Sequence, residues 1–378
     1  MIYLDNAATT PLLKRAYEKM APYHYEIFGN PSELYDYSSK SRKAVNEARV
    51  QVAKLIGADI TEIYFTSGGT ESDNQAILGT AYANRDKGKH IITTNIEHHA
   101  VTNTCRFLAG NGYDITYIQV SDDGLIDPAD IKKAIREDTV LISVMFANNE
   151  IGVIQPVKEI GAIAREHNII FHTDAVAAFA HTMVNVNDMN IDLLSASAHK
   201  CNGPKGVGLL YIKDGVSISP FHFGGRQERN MRPGTENVPG IVGFGEACAA
   251  AAEKDNYNCD YVRLLANYFI ERVTSEIDDV LINGDRKRRV AGNVSFSFAD
   301  VQGEAVQIQL DLKGICCSTG SACNAGTSAL SHVIKAINVP EKYAYGTVRF
   351  TLSDMNTIGE IDYTVDVLKE IIRKLRNI

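Results

Sequence analysis

Two side chains in this sequence have the intrinsic chemistry to attack a substrate, a lysine and a cysteine, each set among small residues. Lys200 ends the run Ser195-Ala196-Ser197-Ala198-His199-Lys200, between the apolar approach Ile191 to Leu194 and the apolar run Val207 to Ile212. That pattern predicts a strand, a tight turn and a second strand, which hold the lysine rigidly at the mouth of a sheet. Its ordinary pKa is about 10.4, and desolvation or a nearby cation lowers it until the amine is a nucleophile toward an aldehyde. Cys323 lies in Cys317-Ser318-Thr319-Gly320-Ser321-Ala322-Cys323-Asn324-Ala325-Gly326. Small residues on both sides describe an exposed, mobile loop, from which a thiolate can reach a bound substrate and leave carrying something. Cys105 and Cys248 read instead as inert core cysteines.

An aldehyde cofactor that serves as an electron sink needs four things: an amine, a carboxylate to keep its ring nitrogen protonated, a flat stacking group and phosphate donors. Asp174, 26 residues before Lys200, suits the carboxylate, although a lone aspartate at a strand end is more often a helix cap. His98 suits the stacking ring and a proton carrier near neutral pH. Ser67-Gly68-Gly69-Thr70 turns directly from a strand into a helix, so N–H groups around Gly69 converge where an anion is stabilised. Thr70, Ser197 and His199 suit the same phosphate. Lys200 therefore reads as an anchor for pyridoxal phosphate. Arg349 can clamp a substrate carboxylate with its planar fork. Asn30, in Gly29-Asn30-Pro31-Ser32, either faces a ligand or only stabilises its turn.

The elements that must position these residues alternate. Strands are expected at Glu62 to Thr66, His90 to Thr94, Ile115 to Val120, Val140 to Phe146 and Ile169 to His172. Helices intervene at Ala100 to Ala109, Asp127 to Ile135 and Lys158 to His167. Such alternation implies an α/β fold with a mostly parallel sheet covered by helices, and with ligands at the C-terminal strand ends. Before it, Pro11 is expected to open a helix, and Ser39 to Ile56 is helical with Gly57 as its stop. Composition shifts around Asp255 to Asp260, and the remainder reads as a smaller α+β unit.

At 378 residues the chain exceeds one average core, and its 45% hydrophobic and 22% charged content is that of a soluble globular enzyme. A net charge of −8 argues against direct nucleic-acid binding, and Arg286-Lys287-Arg288-Arg289 reads as a solvated loop. The N-terminus lacks a signal-type pattern and no stretch approaches a membrane span, so a cytoplasmic protein is expected. Seven cysteines, without zinc-ligand or disulfide spacing, fit a reducing compartment and no structural metal.

The motifs together resemble the NifS/IscS cysteine desulfurases, of the class-V aminotransferase family and the fold-type I pyridoxal-phosphate enzymes. They include Leu4-Asp5-Asn6-Ala7-Ala8-Thr9-Thr10, Thr66-Ser67-Gly68-Gly69-Thr70-Glu71-Ser72-Asp73-Asn74, Glu97-His98-His99-Ala100-Val101, Asn148-Asn149-Glu150-Ile151-Gly152, His199-Lys200, Arg232-Pro233-Gly234-Thr235-Glu236-Asn237 and Gly320-Ser321-Ala322-Cys323. The resemblance implies a large domain, residues 13–255, with a seven-stranded mostly parallel sheet between helices. A small α+β domain, residues 1–12 and 256–378, would carry the catalytic loop at about 316–330.

By the same resemblance Lys200 holds the cofactor as a Schiff base, His98 stacks on it, Asp174 pairs its ring nitrogen and Asn149 neighbours its ring oxygen. Gly69, Thr70, Ser197 and His199 bind phosphate, and Thr235 reaches across a homodimer. Asn30 and Arg349 hold the carboxylate of L-cysteine, and Cys323 takes its sulfur as a persulfide for an acceptor protein, an iron–sulfur scaffold or a tRNA thiolase. Three positions depart from the family's habit: Ala177 replaces a glutamine, Ser32-Glu33-Leu34-Tyr35 replaces a Ser-Ser-x-His pattern, and Thr319 and Asn324 replace Ser and Thr. Two other readings stay open: a cysteine or selenocysteine lyase or aminotransferase of the same fold in which Cys323 is incidental, and a low-activity dimeric scaffold.

Overall fold

The structure, a computed structural model, describes residues 1–253, 260–319 and 330–376. The chain opens with β1 (Ile2–Tyr3), α1 (Lys14–Met20), α2 (Pro22–Tyr25) and α3 (Asp36–Ile56). An alternating series follows: β2 (Ile63–Thr66), α4 (Gly69–Ala83), β3 (His90–Thr94), α5 (His99–Ala109), β4 (Asp114–Ile118), α6 (Pro128–Ala134), β5 (Thr139–Ser143), α7 (Val157–Glu166) and β6 (Ile170–Asp174). Then come β7 (Leu193–Ser197), β8 (Gly208–Ile212) and α8 (Val238–Glu253). The last part holds α9 (Asp260–Glu276), β9 (Val280–Ile282), β10 (Asn293–Phe298), α10 (Gly303–Asp311), β11 (Ile315–Cys316), α11 (His332–Ala336), α12 (Glu341–Ala344), β12 (Thr347–Thr351) and α13 (Ile358–Leu375).

Local chemistry explains the boundaries. α3 buries Ala44, Val45, Ala48, Val52, Leu55 and Ile56 on one face and stops at Gly57, whose φ of 70° suits a left-handed cap. α6 starts at Pro128 because Asp127 accepts from the Ala129 N–H, and Thr357 and Glu360 form a capping box at the start of α13.

The central sheet has seven strands in the order β2-β8-β7-β6-β5-β3-β4, with β8 antiparallel to both neighbours and the remaining pairs parallel. All five residues of β3, of β5 and of β7 are buried, as expected for strands covered on both faces. The same direction is shared by β6 and β7, so Asp174 and Ser197 finish at one edge of the sheet.

A second core is separate from this one. It gathers Phe269, Phe296, Phe350, Val348, Leu368 and Leu4 around the antiparallel sheet β12-β10-β9, with ring centroids of the three phenylalanines 5.1–6.2 Å apart. The segment Val333 to Ala344 packs instead against the large core.

Two local expectations are corrected. Pro11 does not open a helix; α1 begins at Lys14, because the residues before it run extended along the Lys200 turn, Thr10 N–H donating to His199 O at 2.9 Å and Asn202 Nδ2 to Pro11 O at 3.0 Å. Arg289 is not solvated with its basic neighbours; it is buried and donates to the carbonyls of Asp285 and Asn283, which anchor its loop.

A buried ion pair ties α3 to the loop before α8. Arg49 donates to both carboxylate oxygens of Glu228 at 2.7 and 2.8 Å, and Glu228 also accepts from the Phe65 N–H at 2.9 Å. These bonds hold Glu228, Arg229 and Asn230 in three successive left-handed conformations, φ 40°, 54° and 66°. Replacing Arg49 by Ala leaves a buried carboxylate uncompensated and is expected to cost about 3–5 kcal/mol in urea unfolding. Arg49→Met combined with Glu228→Gln removes both charges and should recover most of that loss.

Candidate active site

Lys200 lies in a single 3-10 turn, Ala198–Lys200, directly after β7. Its Nζ donates to Ala7 O at 2.5 Å and to Ala8 O at 2.9 Å, so the extended N-terminal segment supplies its acceptors. The turn itself is fixed from two sides. His181 Nε2 donates to the Lys200 carbonyl at 2.7 Å, and Thr10 donates its N–H and its hydroxyl to the His199 carbonyl, each at 2.9 Å.

The amine faces a cavity of about 790 Å³ where the two cores meet. Gly69, Thr70, His98, Asn149, Asp174, Ser197, His199 and Arg349 all line it together with Lys200. Gly69 and Thr70 are the first residues of α4, whose leading N–H groups have no intrahelical acceptor. A Cβ at position 69 would stand 2.5 Å from Val176 Cγ2, so glycine is what lets this helix end approach so closely. Asn30 and Thr235 are not among the lining residues: Asn30 Oδ1 accepts from Ser32 N–H at 3.0 Å, and Thr235 is exposed. Cys323 lies outside the described residues, but Thr319 before it lines the cavity and Ser331 after it donates to Glu150 Oε2 at 2.6 Å.

The electrostatics of the cavity are dominated by burial. Asp174 accepts from the Val176 N–H at 2.9 Å; burial raises its pKa, while that hydrogen bond and Lys200 oppose the rise. His98 caps α5, its Nδ1 accepting from Ala100 N–H at 3.1 Å, which leaves the ring proton of the neutral form on Nε2. Burial lowers the His98 pKa, against the pull of Asp174, so the ring is neutral at working pH. His199 is pushed down to about 4 by burial and by Lys200, with Nδ1 3.1 Å from Thr9 Oγ1.

Arg349, on β12, donates Nη2 to Asp5 Oδ1 at 2.7 Å and Nη1 to Asn149 O at 3.0 Å, while its buried Nε has no partner among the described residues. Part of the fork expected to clamp a carboxylate is thus already committed to orienting it.

A lysine, a buried aspartate, a neutral imidazole, a helix N-terminus and an arginine therefore share one pocket. Residues 2–364 match the class-V aminotransferase family. The chain belongs to the class-V aminotransferase family. Its relatives include a cysteine desulfurase IscS of Dictyoglomus turgidum, 52% identical over 100% of this chain and 96% of that protein. Among solved structures, a NifS-like protein superposes with a TM-score of 0.93 at 34% identity, covering 99% of each chain. SspA, solved in complex with cysteine, is 37% identical with a TM-score of 0.83, covering 93% of this chain and 99% of that one.

Several residues at the site escaped the sequence reading. Asp5 is the partner of Arg349, and His181 braces Lys200 from a turn in which Ala180 has φ 63°. Asp73 and Glu97 are fully buried carboxyls, and Asp73, His98 and Asp174 offer polar atoms within 4.8 Å of one another. Asp73 and Glu97 were visible only as motif letters, because nothing in a linear pattern marks a carboxyl that faces inward from the start of a helix.

Glu97 makes a pH-dependent contribution to stability. Burial pushes it from 4.5 up to about 8, outweighing hydrogen bonds from Met145 N–H and Thr94 Oγ1. Between those values the unfolded chain has released the proton that the folded one keeps, so stability falls as pH rises and levels off above about 8. Glu97→Gln is neutral in both states and should flatten this part of the pH dependence of Tm in calorimetry. Glu150, pushed up to about 7 by burial, contributes with the same sign over a narrower pH window.

Proposed function

We propose that this protein is a cysteine desulfurase that uses pyridoxal phosphate, converts L-cysteine to L-alanine and holds the released sulfur as a persulfide on Cys323. The observation that carries this reading is the gathering of Lys200, Asp174, His98, the α4 N-terminus and Arg349 around one cavity. The desulfurase names of relatives at about half identity and the cysteine bound to SspA support it.

The residues present fit the cofactor. The cleared helix N-terminus at Gly69 and Thr70, with Ser197 and His199 beside it, suits a phosphate. A buried carboxyl at Asp174 suits a polar ring nitrogen. Lys200 would hold the aldehyde, His98 would lie against the ring and Asn149 would neighbour its oxygen. When bound, the group supplies an electrophilic carbonyl and an electron-withdrawing ring.

The chain's own part is positioning and charge. Asp174 keeps a negative charge in a dry site, His98 carries its proton on Nε2 facing away from its capping bond, and Arg349 with Asn30 binds the substrate carboxylate. In the net reaction the substrate C–S bond breaks, an S–S bond forms at Cys323, and a thiol proton ends on the carbon that becomes the alanine methyl. The positions of Thr319 and Ser331 support access of that loop to the cavity, since both touch its wall or a residue of its wall.

The same reading divides the chain into residues 13–255 and a smaller unit of 1–12 and 256–378; the two separate cores support it except over Val333 to Ala344, which packs on the larger core. It makes the protein a homodimer in which the exposed Thr235 completes the neighbour's phosphate site, with an iron–sulfur scaffold or a tRNA-thiolating protein as sulfur acceptor. Among the described residues no helix is long and apolar enough to cross a membrane, and we place the activity in the cytoplasm.

The test is to load the purified protein with pyridoxal phosphate, add L-cysteine, quantify alanine and map persulfide by mass spectrometry. Cys323→Ala should retain cofactor but form no persulfide there, and Lys200→Ala should lose turnover. Undiminished alanine and free sulfide from Cys323→Ala would favour the lyase reading instead.

A further inference from the structure

Asp73 has no role in the reading above, although it lines the same cavity. It projects from the first turns of α4, is 1% exposed, and its Oδ1 has no hydrogen-bond partner among the described residues. One oxygen of Asp73, one of Asp174 and a nitrogen of His98 lie within 4.8 Å of one another. Two carboxylates so close, both out of water, cannot both be ionised without a cation between them.

The surroundings decide which member carries the charge. Asp174 accepts a backbone N–H from Val176 and has the Lys200 amine near it, both of which favour its ionised form. Asp73 has less. His172 Nε2 stands 3.7 Å away, but that ring is held between Ser143 Oγ at 2.8 Å and Ser195 Oγ at 3.0 Å and is pushed down to about 3 by burial, so it brings no positive charge. Ser195 from β7 favours the charged form of Asp73; burial, Asp174 and Glu97 all oppose it, and the net direction is strongly upward.

We infer that Asp73 is a positioning residue of this site: it is the neutral, proton-holding member of a carboxyl pair and confines the pair's single negative charge to Asp174, where a bound cofactor's ring nitrogen would meet it. The inference rests on the placement of the cofactor proposed above. Its consequence is that the proton on Asp73 is held partly by the charge on Asp174. If Asp174 is made neutral, burial and Glu97 still hold that proton, but more weakly, and Asp73 ionises at a lower pH.

Infrared difference spectroscopy reads this directly, because a protonated carboxylic acid has a carbonyl stretch that a carboxylate lacks. The wild type should show one such band that is lost in Asp73→Asn and that in Asp174→Asn titrates away at a lower pH than in the wild type; the protonated Glu97 contributes to all three and cancels. Spectra are taken with and without pyridoxal phosphate, so that an Asp174→Asn protein that loads poorly still reports. In equilibrium dialysis with pyridoxal phosphate, Asp73→Asn/Asp174→Asn should bind about tenfold more weakly than Asp174→Asn alone, because only the double variant has no carboxylate left.

A wild-type spectrum without an Asp73 band, or a band whose titration is the same in Asp174→Asn as in the wild type, overturns the pair. Equal cofactor affinity of the single Asp174 variant and the double variant does the same. Separately, an Asp174→Asn protein that loads and turns over like the wild type would sink the placement of the cofactor nitrogen, whatever the infrared band does.

Discussion

The burial of the Asp174 carboxyl at the C-terminal end of the parallel strands is the constraint on which the site depends. Desolvating a carboxylate is expensive; a fixed N–H from Val176 and the nearby Lys200 offset that cost, and the neutral ring of His98 stands beside it. Those groups arrive from different parts of the chain. Val176 follows β6, His98 caps α5 and Lys200 follows β7, and the parallel register of β6 with β7 is what brings Asp174 level with Ser195.

The N-terminal segment joins the two cores through that same site. β1 pairs in parallel with β11, Leu4 packs in the smaller core, and Thr351 N–H donates to the Leu4 carbonyl at 2.7 Å. A few residues later Ala7, Ala8, Thr9 and Thr10 contact Lys200 and His199. A short extended strip with no core of its own therefore supplies acceptors to the amine and links it to β12, which carries Arg349.

Arg349 shows how one residue is shared between architecture and ligand. Its pairing with Asp5 and the Asn149 carbonyl fixes the guanidinium plane across the junction of the cores, where Arg349 lines the cavity. Such pre-orientation lowers the entropy lost when a carboxylate is bound.

Much of this was legible in the sequence. Strand β3 lies at the expected residues, because a short run of apolar and β-branched residues is a local property. The lysine turn, the glycine-rich helix start and the capping histidine are also local, so their residue types and spacing determined Lys200, Gly69, Thr70 and His98 as candidates. Tertiary structure decided what spacing cannot encode. Pro11 precedes an extended strip rather than a helix because its partners lie near residue 200, and Arg289 is buried because backbone carbonyls from its own folded loop close around it. Asp73 became a candidate only when α4 packed over β6 and β7 and placed its carboxyl beside Asp174, since the energy of a buried charge depends on what surrounds it in space and not on its neighbours along the chain.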